Sequence, residues 1–513
     1  MTHLPTFHEH WSRAASAHGD APFLLFHDDS GVTEYTYEEF DDIVGRTAGT
    51  LRDNGVGAGA SVHVALRNSP GFLAIWLAVA RLGAWFVPVD PASSPRDLAN
   101  QIRRTTPLVG ICAAARAETY RAGAGDAVPA ILELEESATD VAAGGPLVVG
   151  SPVADAAVGI APSDRLAVMF TSGTTSEPKG VVLTQENYST VAETMAASVE
   201  LEPEHRWLVT LPLFHANAQY YCFAPAIAVG ASVALTHAFS ASRWVQQAHD
   251  LRVTHASLFA APIRMILARS GGRSTPPSLQ HVWFAQSLGR EHHEQFAEII
   301  GCRPRQLYGM TETVAAVTGD TSEPLRHDVI GHPLGGRRVD VIDMVTGRRA
   351  VPGEPGMLRV HGTRGVDLFS GYLDDPDTTA HGFTDQPDGT SWFHTGDLVV
   401  VDPEAGAMRF VGRADDVIKV SGENVSLTEV ESVIAQAPGV LEAAVLAQPD
   451  PIRDQVPVAY IVAKQATPIL DVASLADWAA ANLPPAARPR DWYLIDELPR
   501  TSVGKVRRFR IGR

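Results

Sequence analysis

The 513-residue sequence predicts an α/β protein: a large N-terminal domain of layered α/β subdomains, a β-rich subdomain near its end, and a small α+β domain at the C-terminus. Three observations carry this prediction. Helix-like segments alternate with short β-branched and apolar runs through roughly the first 400 residues, the pattern of parallel strands covered by helices. From Gly353 the texture changes to short strand-like runs punctuated by Gly, Pro and Asp, ending at Phe410-Val411-Gly412. Residues 413–513 then combine helix and strand signals within a length close to the lower bound for a domain. The division is therefore placed between an N-terminal domain, 1–412, and a C-terminal domain, 413–513.

In chain order, Val62–Leu66, Leu166–Phe170, Trp207–Leu211, Ser232–Leu235 and His281–Phe284 read as strands of the layered part. Phe72–Val89 is the most apolar stretch, but Arg81, Gly83 and Pro88 interrupt it, so it reads as a buried helix followed by a strand and falls short of a bilayer span. The Ala/Gly/Val-rich region Ala113–Ala161 is compositionally loose and reads as peripheral loops and short strands. In the last domain, Leu427–Ala437 and Asp471–Ala481 read as helices and Ala443–Leu446 and Ala459–Val462 as strands. No repeat of fixed period is present.

Composition narrows the partners. With 45% apolar residues the chain can bury a substantial core, and a formal charge of −18 with no basic run longer than Arg507–Arg508 makes nucleic acid and anionic membrane poor partners. An anionic substrate would need a locally positive pocket. Cys112, Cys222 and Cys302 are odd in number and far apart, which argues against a disulfide framework or a structural zinc site and for a reducing cytoplasm. The polar, His-rich N-terminus does not read as a signal peptide.

Only four lysines, Lys179, Lys419, Lys464 and Lys505, stand among the 41 basic residues. Arginine replaces lysine at most solvated positions, but not where a compact ammonium must reach a phosphate or a reacting oxygen. Three of the four lie in unusual motifs. The first is Phe170-Thr-Ser-Gly-Thr-Thr-Ser-Glu-Pro-Lys-Gly180, directly after an apolar run. A strand feeding such a loop presents backbone N–H groups, hydroxyls and one ammonium to a polyphosphate. It lacks the spacing of a Walker A loop.

This segment resembles the signature of the adenylate-forming superfamily, which includes acyl-CoA synthetases, peptide-synthetase adenylation domains and beetle luciferases. Further matches follow in the expected order: Leu211-Pro-Leu-Phe-His215, Tyr308-Gly-Met-Thr-Glu-Thr313, Gly371-Tyr-Leu, Phe393-His-Thr-Gly-Asp397, Gly412-Arg-Ala-Asp-Asp-Val-Ile-Lys419 with Ser421-Gly422, and Pro499-Arg-Thr-Ser-Val-Gly-Lys505.

The resemblance implies a two-step reaction: a carboxylate and ATP give an acyl adenylate and pyrophosphate, and a thiol then attacks the mixed anhydride. The first step needs positive charge and alignment more than a nucleophile. By resemblance, Thr171, Ser172, Gly173, Thr174, Thr175 and Lys179 hold the β- and γ-phosphates, and Glu312 ligates Mg²⁺. Thr311 contacts the α-phosphate, Tyr308 stacks on adenine, and Gly309, Met310 and Ser287 line the nucleotide. Asp397 accepts hydrogen bonds from the ribose, with Arg413 reaching ribose or phosphate. Lys505, on a mobile C-terminal domain, bridges the acyl carboxylate and the α-phosphate; with Thr175, Glu312 and His215 it makes up the expected catalytic set. Asp415 matches the hinge about which that domain turns. Lys419, Ser421, Gly422 and Glu423 belong to the loop that approaches the CoA tunnel, Lys419 serving either position or chemistry.

Amino-acid-activating relatives carry an aspartate where this chain has His215. A zwitterionic substrate would leave its ammonium uncompensated there, so a carboxylic acid without an α-amino group is expected. The stretch His215-Ala-Asn-Ala-Gln219 most resembles the carnitine/crotonobetaine type of CoA ligase, in which the histidine lines the acyl entrance. His215, Ala216, Asn217, Ala260 and Ala315 are the expected acyl-contact residues. Their small neighbours Ala218, Ala261 and Ala316 leave room for a bulky hydrophobic acid, such as a secondary-metabolite intermediate. Ala285-Gln286-Ser287 departs from the glycine-rich turn of relatives, so a changed backbone path beside adenine is expected. Free CoA is the expected acceptor, since no carrier-protein serine follows up to Arg513. A separate acyl carrier protein is the alternative, a non-catalytic ligand-binding homologue is a second, and a homodimer is common among relatives.

Overall fold

The computed structural model describes residues 4–154, 159–171, 178–269, 277–421, 423–464, 471–500, 506 and 508–511. Two large sheets dominate it. The first has seven strands in the order Gly371–Tyr372, Lys179–Thr184, Arg165–Thr171, Trp85–Pro88, Ser61–Ala65, Val109–Ala113 and Ala130–Leu134. The second has nine: His332–Pro333, Thr318–Gly319, Arg305–Tyr308, His281–Ala285, His255–Phe259, Arg206–Val209, Ser232–Thr236, Pro22–Asp28 and Gly31–Thr36. Pairing is parallel through the middle of each; the second sheet turns antiparallel at both edges, the first only at the Gly371–Tyr372 edge. Ser61–Ala65 and Val109–Ala113 are buried at every position, as parallel strands covered on both faces must be.

The helix Pro70–Arg81 is buried along its whole length. Ser69 starts it by accepting the Phe72 N–H at 3.3 Å, and Pro70 pre-sets the first turn. Its Trp76 ring lies 5.0 Å from Phe7 and 5.6 Å from Tyr188, in a core that also contains residues of both large sheets. Asn68 then ties the sheets' loops together. Its Nδ2 donates to the carbonyls of Leu211 and Thr236, both at 3.1 Å, and its Oδ1 accepts the Leu213 N–H at 2.8 Å.

The loose-looking region after Ala113 is more ordered than its composition implies. It contains the helix Ala117–Ala124 and the strand Ala130–Leu134, and it then crosses the helix Tyr37–Asp53 with backbone against backbone. A Cβ on Gly49 would sit 2.0 Å from the Ser151 carbonyl oxygen, and one on Gly150 would sit 2.1 Å from the Thr50 nitrogen. Two glycines permit this crossing because any side chain would collide with backbone.

The third, β-rich sheet runs Arg338–Ile342, Pro355–Gly362, Ser391–Val401 and Phe383–Asp385, with Met408–Arg413 added beside Ser391–Val401. It therefore begins before Gly353, because Arg338–Ile342 pairs across the turn Asp343–Gly347 with Pro355–Gly362. The last sheet places Glu423–Ser426, Val417–Val420, Asp454–Ala463 and Val440–Asp450 in order, with Asp491–Leu494 beside Asp454–Ala463 and the helices Leu427–Ile434 and Val472–Asn482 packed on it. The first of these helices stops three residues short of the expected Ala437, ahead of Pro438-Gly439. This unit leans on the third sheet: Ser426 Oγ donates to the Val411 carbonyl at 2.8 Å, and Arg409 pairs with Glu429 at 3.2 Å.

Candidate active site

Strands Arg165–Thr171, His281–Ala285 and Arg305–Tyr308 all deliver their C-terminal ends to one region, where open α/β sheets place ligands. Thr171 closes the first strand, and Lys179 opens its antiparallel return directly opposite, with Thr171 Oγ1 3.5 Å from the Lys179 carbonyl. Ser172, Gly173, Thr174 and Thr175 lie outside the described residues, as do Lys505 and Gly422. Arg104, which the sequence did not single out, braces the loop's base. Its two Nη atoms donate to the carbonyls of Pro178 and Leu373, each at 2.8 Å, and its guanidinium sits over Phe170 at 5.1 Å.

Lys179 Nζ lies 5.1 Å from the centre of the Tyr372 ring, and the Tyr372 hydroxyl donates to Glu312 Oε1 at 3.2 Å. Tyr372 arrives on the two-residue strand that pairs with Val181–Val182. Glu312 sits in the single helical turn Thr311–Thr313 and is buried. That burial pushes its carboxyl above the ordinary range, and hydrogen bonds from backbone and Tyr372 only partly offset it. A buried carboxylate of this kind fits one hard cation whose other ligands are phosphate oxygens. Among the described residues no cluster of three or more His, Cys, Asp or Glu forms a cage that would hold a metal without the nucleotide.

A second chain of contacts meets the first. The Tyr308 hydroxyl donates to Asp397 Oδ2 at 2.5 Å, and Arg413 Nη1 stands 3.5 Å from Asp397 Oδ1 across the strand pair that aligns these two residues. Burial works against the Arg413 charge, but Asp397 and Asp415 outweigh it and hold its pKa above the ordinary value. Gly309, Met310 and Thr311 are half-buried beside this junction. One carboxylate, Asp397, thus faces a phenol and a guanidinium, while the other, Glu312, faces a phenol with a lysine beyond it.

The description "AMP-binding enzyme" fits residues 11–373, and "AMP-binding enzyme C-terminal domain" fits residues 429–505. The chain belongs to the AMP-binding enzyme family. The family drawn from the motifs therefore holds. Among curated proteins, a crotonobetaine/carnitine–CoA ligase of Salmonella heidelberg is 28% identical, covering 97% of this chain and 96% of the relative. Among solved structures, the anthranilate CoA ligase AuaEII in complex with anthranoyl-AMP superposes with a TM-score of 0.87 at 22% identity, covering 99% of this chain and 97% of the other. A benzoate CoA ligase from Burkholderia xenovorans LB400 gives 0.85 at 21% identity, with 99% of each chain covered. These two establish the shared fold.

The acyl-contact residues expected in this AMP-binding enzyme divide into two groups. His215 is half-buried at the start of the turn Ala216–Ala218, its ring 4.6 Å from Phe214. Asn217 is buried, and its Oδ1 has no hydrogen-bond partner among the described residues. Ala218, Ala315 and Ala316 are fully buried in the central core, joined there by Tyr220 and Tyr221. The Tyr221 hydroxyl stands where a Cβ on Gly309 would be only 2.7 Å away. Ala260 opens the next helix and packs instead in a separate cluster with Ile263 and Phe284.

At the turn after His281–Ala285, Gln286 takes φ 73°, the left-handed conformation that a glycine would adopt without cost. Ser287 is exposed, and its carbonyl accepts Arg264 Nη1 at 3.4 Å. At the expected hinge position, Asp415 lies in the short turn Ala414–Asp416 with its Oδ1 3.3 Å from Arg413 Nε. Its neighbour Asp416 and the helix residue Glu431 each take one arm of Arg508, at 2.8 Å. Lys419 is exposed on the strand Val417–Val420, Ser421 has φ 53°, and Glu423, also exposed, opens the returning strand.

Proposed function

We propose that this AMP-binding enzyme is an ATP-dependent acid:CoA ligase acting on a non-amino, bulky hydrophobic carboxylic acid, such as a secondary-metabolite intermediate. The observation that carries the nucleotide part is the convergence of Lys179, Tyr372 and Glu312 with Tyr308, Asp397 and Arg413. ATP, Mg²⁺ and CoA are its cofactors. In the first step a carboxylate oxygen attacks the α-phosphorus and the bond to the β-phosphate oxygen breaks, releasing pyrophosphate. Lys179 is assigned to the leaving phosphates, with the motif residues Thr171–Thr175 assigned there by resemblance, and Asp397 takes the ribose hydroxyls. Glu312 would hold Mg²⁺, which supplies charge neutralisation to the polyphosphate when bound. Lys505 is assigned from its motif to the acyl carboxylate and α-phosphate. In the second step the CoA sulfur attacks the acyl carbon, AMP leaves and the thiol proton is released.

His215, where amino-acid-activating enzymes place an acid, supports a substrate without an α-ammonium, and the 28% identical crotonobetaine/carnitine–CoA ligase agrees with a CoA acceptor. Ala216, Ala315 and Ala316 support a substrate larger than acetate. We assign the domain division to 412/413, the hinge to Asp415, the loop Lys419–Glu423 to the CoA side, and the enzyme to the cytoplasm, in keeping with its three free cysteines. The test is mass-spectrometric product detection with ATP, Mg²⁺ and CoA over a panel of carboxylic acids, with Lys505→Ala as control. Acyl-CoA and AMP, lost in the variant, are expected. Acyl-AMP without acyl-CoA would move the acceptor to a carrier protein, and turnover confined to two- and three-carbon acids would overturn the bulky substrate. No adenylate from any acid would overturn the reading as a ligase.

A further inference from the structure

We propose that Arg337 is a positioning residue for this site, clamping, from the position just ahead of the third sheet's first strand, the turn that carries Thr311 and Glu312. In the sequence Arg337–Arg338 looks like a solvated basic pair. In the fold its side chain is only 5% exposed. One Nη donates to the Asp367 carbonyl at 2.6 Å and the other to the Thr313 carbonyl, while the Asp367 carboxylate stands 3.8 Å away. A planar guanidinium can hold two carbonyls at fixed separation, which a lysine ammonium cannot do with the same geometry.

The turn it grips needs holding. Val314, the residue after Thr313, takes φ 66° and ψ −90° while fully buried. A positive φ is a genuine outlier for a β-branched residue, and such strain persists only where surrounding contacts over-determine it. Three contacts converge here. Thr313 Oγ1 accepts the Met310 N–H at 3.0 Å, the Glu312 carbonyl accepts the Phe369 N–H at 3.0 Å, and Arg337 takes the Thr313 carbonyl. Released from Arg337, the peptide after Thr313 can rotate toward a relaxed conformation and carry Glu312 and the Val314–Ala316 wall with it. The functional consequence rests on the ligase reading above, but the clamp itself does not.

The test compares Arg337→Met, which keeps the stem, with Arg337→Lys, which keeps the charge. Hydrogen exchange of amides in 311–317 is expected to accelerate at least tenfold in Arg337→Met and less in Arg337→Lys, with the strand Ser61–Ala65 unchanged. Pyrophosphate exchange should fall at least tenfold in Arg337→Met and recover partly in Arg337→Lys. Unaltered exchange at 311–317, or acceleration spread evenly over the chain, would overturn the clamp. Localised acceleration with pyrophosphate exchange within twofold of wild type would overturn its role in positioning. A wild-type protein that makes no adenylate would count against the ligase reading, while the exchange data would still decide whether Arg337 holds the turn.

Discussion

Replacing Asp397 by Asn removes a charge from a buried junction while keeping its shape. The 2.5 Å bond from Tyr308 is charge-assisted, worth about 1.5–3 kcal/mol against about 0.5–1.5 for a neutral one, so the exchange loses about 1–1.5 kcal/mol. The Arg413 pair at 3.5 Å adds at most about 1 kcal/mol, because that side chain is 40% exposed and solvent screens it. The stability loss is therefore about 1–2.5 kcal/mol, read as a shift in urea midpoint. If two ribose hydroxyls donate to the same carboxylate, the nucleotide loses about 2–3 kcal/mol, or roughly 30- to 150-fold in KM for ATP in pyrophosphate exchange. Tyr308→Phe is the control, and the double variant should cost about 1 kcal/mol less than the sum of the singles. An ATP KM within twofold of wild type, alongside the expected stability loss, would refute the ribose assignment and leave Asp397 a structural partner of Tyr308.

Glu312→Gln should abolish adenylation yet raise the melting temperature at pH 7, because the buried carboxyl has its pKa raised and the charged form costs stability. That gain should shrink as pH falls and the wild-type group takes up its proton, and a gain independent of pH would contradict the burial argument. His10, His63 and His255 each have pKa lowered to about 4 by burial, so the unfolded chain binds protons that the folded one refuses. Their stability contribution is complete above pH 6.5 and lost toward pH 4, at about 1.4 kcal/mol per pH unit for each histidine, and urea midpoints across that window measure the slope. Trp76→Ala, in the fully buried helix, should cost about 3–5 kcal/mol of unfolding free energy.

What was legible in the sequence was chemistry tied to contiguous residues. Phe170–Gly180, Tyr308–Thr313 and the aspartate at 397 announce themselves because phosphates and ribose demand particular side chains at fixed short spacings. Contacts made by topology did not announce themselves. Tyr372 reaches Glu312 across 60 positions through a strand two residues long, too short for any periodic signal. Arg104 and Arg337 act through backbone carbonyls, acceptors that every residue carries and that leave no trace in the sequence. Ala260 and Ala315 look equivalent as small residues near motifs. Yet side chains on a covered sheet and its flanking helices divide between two faces, and the two alanines fall into different cores. The start of the third sheet was missed for a similar reason: Arg338–Ile342 alternates polar and apolar over only five residues before its turn.

Arg413 is shared. One guanidinium serves Asp397, the carboxylate proposed for the ribose, and Asp415, the carboxylate at the proposed hinge, from the end of a strand that belongs to the third sheet. Two acceptors drawing on one cation are thermodynamically linked, and linkage runs both ways. With Asp397 at the ribose as proposed, any geometry of residues 414–416 that draws Arg413 away from it changes nucleotide affinity by some factor. Nucleotide binding must then change the population of that geometry by the same factor, with no further device needed to report occupancy from the cleft to the pivot.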